Sequence, residues 1–481
     1  MTGAGAGRAV VVGAGIAGLL AARVLSETFA EVTILDRDPL GGAVGDGDRG
    51  VGNGDGGDGD GGDGDGRRGV PQGRHLHGLM DRGRQIMAEL YPGLVDELIA
   101  RGASTTEILV GNRWYLGGLR TKPTPTGLVS VLASRPLLED VLRERTLARP
   151  GVRVRTGVTV TGLVPADGNA NRIAGVRLRA LARDEDGPPD ENGPAGGELL
   201  PADLVVDASG RGSRAGTWLT ALGHAAPRVE EVDVDLGYTS RVYRRRPGDL
   251  GGASSVIIGM PPGRPGGGAV PLEGDRWLVT LVGMLGEHPP RDPAGFEAFA
   301  ATLAASDIAE LMKETTPLSS PLPYRFRGSR RRRYDRLRRP PAGFLAVGDA
   351  LCSLNPLYAQ GMTVAAQHAL ALRDCLADRR RGGPDGRSDL PRRFYRAAGP
   401  AITVAWDMCL AADLRHPGVT IKAGPRDRFA SAYSARAQRA AHRDPVVARA
   451  LVRVINLIDP PTALMRPAVA ARVLARGGEV A

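Results

Sequence analysis

Lysine is almost absent from the 481-residue chain: Lys122, Lys313 and Lys422 stand among 63 basic residues. The net charge of +10 is therefore nearly all arginine, and with 68 glycines and 36 prolines it reads as the composition bias of a GC-rich gene. Aromatic residues make up 4% and do not interleave with a basic module, which argues against a nucleic-acid partner. Cysteine is scarce as well. Cys352, Cys375 and Cys409 lie far apart, with no CxxC pair and no Cys/His cluster, so neither a disulfide framework nor structural zinc is expected. No run of 18 apolar residues occurs, so no transmembrane segment is expected. The first residues do not have the pattern of a signal peptide, and a reducing, cytoplasmic setting is the default. Glycine shows no three-residue period, which excludes a collagen-like chain.

What is present is enough apolar material for several structural units, with 42% hydrophobic residues. Residues 9–12 (AVVV) read as a buried strand, GAGIAG follows, and a helical pattern runs to about Glu27 before a second strand, EVTILDRD. In Gly13-x-Gly15-x-x-Gly18 the first glycine allows the tight turn. The second lets the backbone approach a diphosphate, and the third lets helix and strand pack closely. Asp36 ends the second strand, 18 residues past Gly18, where a carboxylate can accept from both ribose hydroxyls; Arg37 beside it is a further candidate cofactor contact.

Residues 41–66 are of another material: 14 glycines, seven aspartates and one arginine, a disordered surface insertion by composition. Its net charge of −6 leaves +16 on the rest of the chain, dispersed rather than gathered. Calcium-binding nonapeptides would need an aliphatic residue in each turn, and these are missing. Beyond it, a helix is predicted over Asp81–Leu90, extended segments over 103–132, and a helix opened by Ser134-Arg135-Pro136 and running to about Ala148. VRVRTGVTVTGL reads as a hairpin-like strand pair, DLVVDASGRGS as a buried strand ending in a glycine turn. LGYTSRVY, SSVIIGM and RWLVTLVGML suggest an antiparallel sheet, with a Gly/Pro-rich link between the last two. GFLAVGDA is another buried strand, followed by a helix over Gly361–Ala377. The chain from Pro391 reads as helical, with Asp444-Pro445 as an N-cap.

Asp349 stands just after the GFLAVGDA strand, placed to hold a ribityl hydroxyl. The turn from Pro356 aims the helix opened by Gly361 and Met362 at whatever lies beside it, and such a helix dipole would stabilise negative charge on a reduced flavin. Here the sequence resembles the FAD-dependent monooxygenases of the para-hydroxybenzoate hydroxylase type, whose GD motif it matches, with Ser353 where many members carry histidine. DASGRGSR (207–214), with Asp207, is similar to the family's middle DG motif, altered at Ser209 and Arg211. Arg135 matches the arginine that the family places near the adenosine and diphosphate. RRGVPQGRHLHGL, LGYTSRVY and the GD segment look most like the bacterial flavin epoxidases of polyether pathways, and more distantly like squalene epoxidases.

The resemblance implies an α/β fold: a Rossmann-like FAD-binding domain in three blocks, an interleaved mixed or antiparallel substrate sheet, and a helical C-terminal extension. The expected bounds are 1–102, 133–220 and 335–395 for the FAD blocks, 103–132 and 221–334 for the substrate domain, and 396–481 for the extension. It implies an enzyme in which a C4a-hydroperoxyflavin epoxidises or hydroxylates a lipophilic polyketide or terpenoid, using O2. Electrons come from NAD(P)H or from an external flavin reductase partner, since no second GxGxxG follows a strand. Alkene epoxidation needs alignment and a dry pocket rather than a protein nucleophile, and no catalytic side chain is assigned. His75 and His77 contact either flavin or structural partners; Arg241 faces either the flavin edge or solvent; Cys352 is a packing residue rather than a redox thiol. Arg330–Arg333 reads as a solvated run. Two alternatives remain open: a reductase of prenyl double bonds similar to geranylgeranyl reductases, and a non-catalytic Arg-rich binding protein. A halogenase is disfavoured, because no WxWxIP segment and no lysine near the substrate region are found.

Overall fold

The computed structural model describes residues 7–40, 71–181, 197–378, 388–420 and 422–478. The 41–66 insertion and most of the acidic loop at 183–198 lie outside the described residues. The centre is a five-stranded parallel sheet in the order Phe344–Ala346, Leu204–Asp207, β1 (Arg8–Val12), β2 (Glu31–Leu35), Val152–Arg155. Near-continuous aliphatic runs such as AVVV and LVVD suit strands covered on both faces. Helix α1 (Ile16–Leu25) makes the crossover from β1 to β2, and eight of its ten residues are buried. From β1 the sheet grows to one side through β2 and to the other through Leu204–Asp207. The end of β1 is thus the topological switch point, the crevice where such sheets bind ligands.

A mixed eight-stranded sheet stands against this domain, in the order Cys352–Ser353, Leu322–Arg332, Val229–Arg244, Arg276–Met284, Gly266–Leu272, Ser255–Ile258, Asn112–Leu116, Leu119–Arg120. Its neighbours pair antiparallel except Ser255–Ile258 on Asn112–Leu116. Through Cys352–Ser353 the GD segment itself supplies an edge of this sheet, pairing Ser353 with Arg330. The C-terminal helices Leu390–Asp413, Pro425–Ala441, Pro445–Ile455 and Pro467–Arg476 follow; the last three close a separate apolar cluster with Ile108, Leu109 and Leu128. Asp444 caps its helix as expected, accepting the Val446 and Val447 N–H groups.

Three readings of the sequence need correction. Residues 152–163 are not a hairpin: Val152–Arg155 pairs parallel with β2, while Val158–Ala166 turns away at Gly157 (φ +67) to pair with Asn169–Ala180. The Gly/Pro-rich link hides a strand, Gly266–Leu272, whose glycines carry no alternation to reveal it. Arg330–Arg333 is not a solvated run either. It belongs largely to Leu322–Arg332, and Arg331 and Arg332 are buried, because their donors find carbonyl and hydroxyl oxygens inside the fold.

Candidate active site

A cavity of about 1300 Å³ runs from the turn after β1, under the eight-stranded sheet, to the C-terminal helices. Single-ligand pockets are ~300–1,000 Å³, so this one has room for a cofactor and a substrate together.

The turn is built by glycines with separate duties. Gly13 sits at φ +105, and a Cβ there would lie 2.6 Å from the Ala208 oxygen. A Cβ on Gly18 would lie 1.9 Å from the Gly13 oxygen, so helix and turn touch through bare backbone. Gly15 is the opposite case: it borders the cavity with nothing within 4 Å of a built Cβ. It is also the N-cap of α1, which has no side-chain cap and no acidic residue in its first turn. Free N–H groups and the positive end of the helix dipole therefore meet open space, the arrangement that binds a diphosphate. Asp36 borders the same space, its carboxylate accepting the Ala14 and Asp38 N–H groups at 2.7 and 2.9 Å. These residues fit a dinucleotide.

Arg37, Arg135, Asp349, Gly361 and Met362 border the cavity too. Arg135 opens the helix Arg135–Leu147, pairs with Glu139 at 2.9 Å and places Nη1 3.2 Å from His77 Nε2. Burial pushes the Asp349 carboxyl above the usual range, against the pull of Arg135, Arg211 and Arg332. Arg332 holds that turn from behind, donating to the Asp349, Ala350 and Arg211 carbonyls at 3.3, 3.1 and 2.9 Å. Arg211, over the Phe326 ring at 4.1 Å, donates to Ser353 Oγ at 2.8 Å, which ties an altered position of the middle motif to the altered position of the GD segment. Two of the sequence candidates do not border the cavity. Gly18 packs helix on turn, and Asp207, fully buried, accepts from the Ser209 N–H and the Ser209 and Ser213 hydroxyls. It shapes the turn whose residues 208–212 face inward.

On the sheet side, Tyr238, Tyr324, Phe326, Met260, Ile257 and Val282 make an apolar chamber. Gly267 and Gly268 border it where side chains would crowd Leu281, Ile308 and Leu76; a glycine pair inside a strand marks such close approach. His75 borders the cavity and its Nδ1 lies 2.8 Å from Ser240 Oγ, itself 2.6 Å from Thr280 Oγ1. Burial, with Arg74 nearby, lowers His75 to about 4; burial and Arg135 lower His77 to about 3, so both rings are neutral at pH 7. Arg241 faces neither flavin nor solvent: it is buried against the Ser319 carbonyl and Glu297, away from the cavity. Cys352 is buried, its thiol pushed up to about 12. Among the described residues no group of three His, Cys, Asp or Glu could hold a metal, and no helix is long and apolar enough to cross a membrane. Sequence reasoning also missed the wall of Met408, Tyr433 and Gln438 on two helices, with Arg415 just past the first, since nothing local links two helices to one cavity.

The family described as an NAD(P)-binding Rossmann-like domain matches residues 11–56. PqsL from Pseudomonas aeruginosa, described as a "probable FAD-dependent monooxygenase", superposes with TM-score 0.60 at 16% identity, covering 85% of this chain and 96% of that one. The flavin-dependent brominase Bmp2 superposes with TM-score 0.62 at 14% identity, over 97% of this chain and 99% of its own. Protein Rv3254 of Mycobacterium tuberculosis is 33% identical over 463 residues, 94% of this chain and 90% of that protein. The chain therefore belongs to the family of Protein Rv3254, built on the fold shared by flavin-dependent monooxygenases and halogenases.

Proposed function

We propose that the chain is an FAD-dependent monooxygenase that epoxidises or hydroxylates a lipophilic, alkene-bearing substrate of polyketide or terpenoid type. The observation that carries this reading is one continuous cavity, joining a dinucleotide turn at the sheet's switch point to an apolar chamber. Gly13, Gly15, Asp36, Arg37 and Arg135 would hold the adenosine and diphosphate, and Asp349, Gly361 and Met362 the flavin end. Bound FAD, once reduced, supplies the activation of O2 for insertion of one oxygen atom. The chain's own work is binding, alignment and exclusion of water. Tyr238, Tyr324 and Phe326 form an aromatic wall that would exclude water, and the neutral His75, tied to Ser240, adds no charge that would draw water in. Among the described residues no lysine borders the cavity, which favours oxygenation over halogen transfer.

The test is turnover of FAD-loaded protein with isotopically labelled O2 and a panel of polyenes. One arm is reduced by NADH or NADPH and the other by a separate flavin reductase. One labelled oxygen atom per product molecule is expected, and the productive arm identifies the electron donor. Unlabelled product, product formed without O2, or halogenated product in added bromide would overturn the proposal.

A further inference from the structure

The far wall of the cavity carries a charge that the cofactor does not use. Arg415 stands just past the helix Leu390–Asp413 and borders the cavity. Its Nη1 donates to Gln438 Oε1 at 2.6 Å, while its Nε is buried without a hydrogen-bond partner. Among the described residues no carboxylate forms an ion pair with it. Asp413, two residues earlier, spends Oδ1 on Asn355 Nδ2 at 2.9 Å and on the Tyr358 hydroxyl at 2.6 Å. Burial pushes the Asp413 carboxyl up to about 6 while the charge of Arg415 pulls it down, so the two groups feel each other without forming a contact ion pair. Of the other two acids on this wall, Asp427 accepts the Gly424 N–H at 2.8 Å, and Asp407 is exposed and feels the charges of Arg426 and Arg331.

The same cavity is bordered on the helical side by Met408, Tyr433, Leu451 and Leu464, and by a second cation, Arg426. A cation partly withdrawn from water without a contacting carboxylate is unfavourable, and an anion delivered by a ligand reduces that penalty. A guanidinium is a planar fork of donors, which matches a carboxylate with two parallel bonds. Apolar side chains of the sheet and the residues assigned above to the flavin end, Asp349, Gly361 and Met362, border the same cavity.

We propose that Arg415 anchors a carboxylate at one end of the substrate, so that the substrate is an amphipathic unsaturated acid whose apolar chain runs through the chamber towards the flavin end. This rests on the oxygenase reading for the fate of the chain, but not for its binding. The carboxylate would set the reach of the chain and hence which double bond is presented.

Equilibrium dialysis of FAD-loaded protein with all-trans-retinoic acid and with its methyl ester tests the anchor without turnover. The acid is expected to bind about 10- to 100-fold more tightly than the ester, the range of a charge-assisted hydrogen-bonded pair. Arg415→Gln should abolish that preference, and Arg415→Lys should restore part of it; the lysine variant keeps the test valid should the glutamine variant melt early. Equal binding of acid and ester, no binding of either, or a preference that survives in Arg415→Gln would overturn the proposal. So would an Arg415→Gln variant that loses only NADPH affinity, since the guanidinium would then serve a nucleotide phosphate. If acid preference depends on Arg415 while no labelled oxygen reaches any product, the anchor stands and the oxygenase reading alone falls.

Discussion

Gly15 and Gly18, three residues apart, should fail in different ways when each is given one methyl group. In Gly15→Ala the new Cβ meets nothing within 4 Å, and the backbone at φ −78, ψ 179 is one that alanine adopts freely. The loss of a glycine N-cap and the gain from a stiffer unfolded chain are each within about 1 kcal/mol and of opposite sign. The apo protein should therefore melt within about 1 °C of wild type. The methyl does occupy the space through which a diphosphate would reach the N–H groups of α1, so FAD affinity should fall by about 100-fold or more, close to 3 kcal/mol. In Gly18→Ala the methyl would lie 1.9 Å from the Gly13 oxygen, where ordinary contact begins at 3.4 Å. Helix α1 would have to retreat by about that shortfall, and its buried face would lose its fit. Overpacking of this kind costs ~1–3 kcal/mol or more, so for a chain of this length a fall in melting temperature of about 1–3 °C or more is expected even without cofactor. Differential scanning calorimetry of both apo variants, with FAD titration by flavin fluorescence, separates the two. A Gly15→Ala protein that binds FAD like wild type would refute the assignment of the diphosphate to this turn. A Gly18→Ala protein as stable as wild type would refute the close backbone contact.

Burial holds His75, His368 and His416 at about 4 and His77 at about 3, whereas in the unfolded chain each takes its proton near 6.5. Stability that is full above pH 6.5 should therefore fall as pH drops towards 4, by up to ~1.4 kcal/mol per unit for each ring. Asp413, held at about 6, and the raised Asp349 oppose this below pH 6, but four rings outweigh two carboxyls and a net loss of stability between pH 6.5 and 5 is expected. Urea unfolding midpoints at the two pH values measure it, and a flat or rising profile contradicts the neutral burial of these rings. Arg332→Met removes three donors from the carbonyls of 211, 349 and 350, and should weaken FAD binding about 10-fold or more; an unchanged dissociation constant would detach Arg332 from the GD turn. Cys352, Cys375 and Cys409 are all buried with raised thiols, so a thiol-reactive dye at pH 7.5 should find none until denaturant is added. A rapid full equivalent in the native protein would show an open thiol.

The parts legible in the sequence are those whose causes are local. Asp81–Leu90 and Gly361–Ala377 emerge with the bounds their pattern implies, and Ser134 caps its helix by accepting the Leu137 N–H. The glycine turn is legible for the same reason, since strand, turn, helix and Asp36 are consecutive. What stayed hidden depends on partners far along the chain. Val152–Arg155 looks like half of a hairpin until β2 claims it. Arg332 looks like one of a solvated row until the carbonyls of 349 and 350 turn towards it. Gly266–Leu272 has too few side chains to show a period, and Arg415 acquires meaning only once Gln438 of another helix meets it at the cavity.

The strand order of the central sheet bears on when a nucleotide can first be held during synthesis. β1, α1 and β2 leave the ribosome within the first 35 residues, yet the Gly13 turn rests against Ala208 and the last strand of the sheet ends at Ala346. Gly348 then lies over Ala17, and Asp349 comes immediately after. A nascent or truncated chain that stops before these residues carries the fingerprint without its floor. Cofactor capture thus reports that most of the chain has been made, and a fragment of the first hundred residues should not retain FAD.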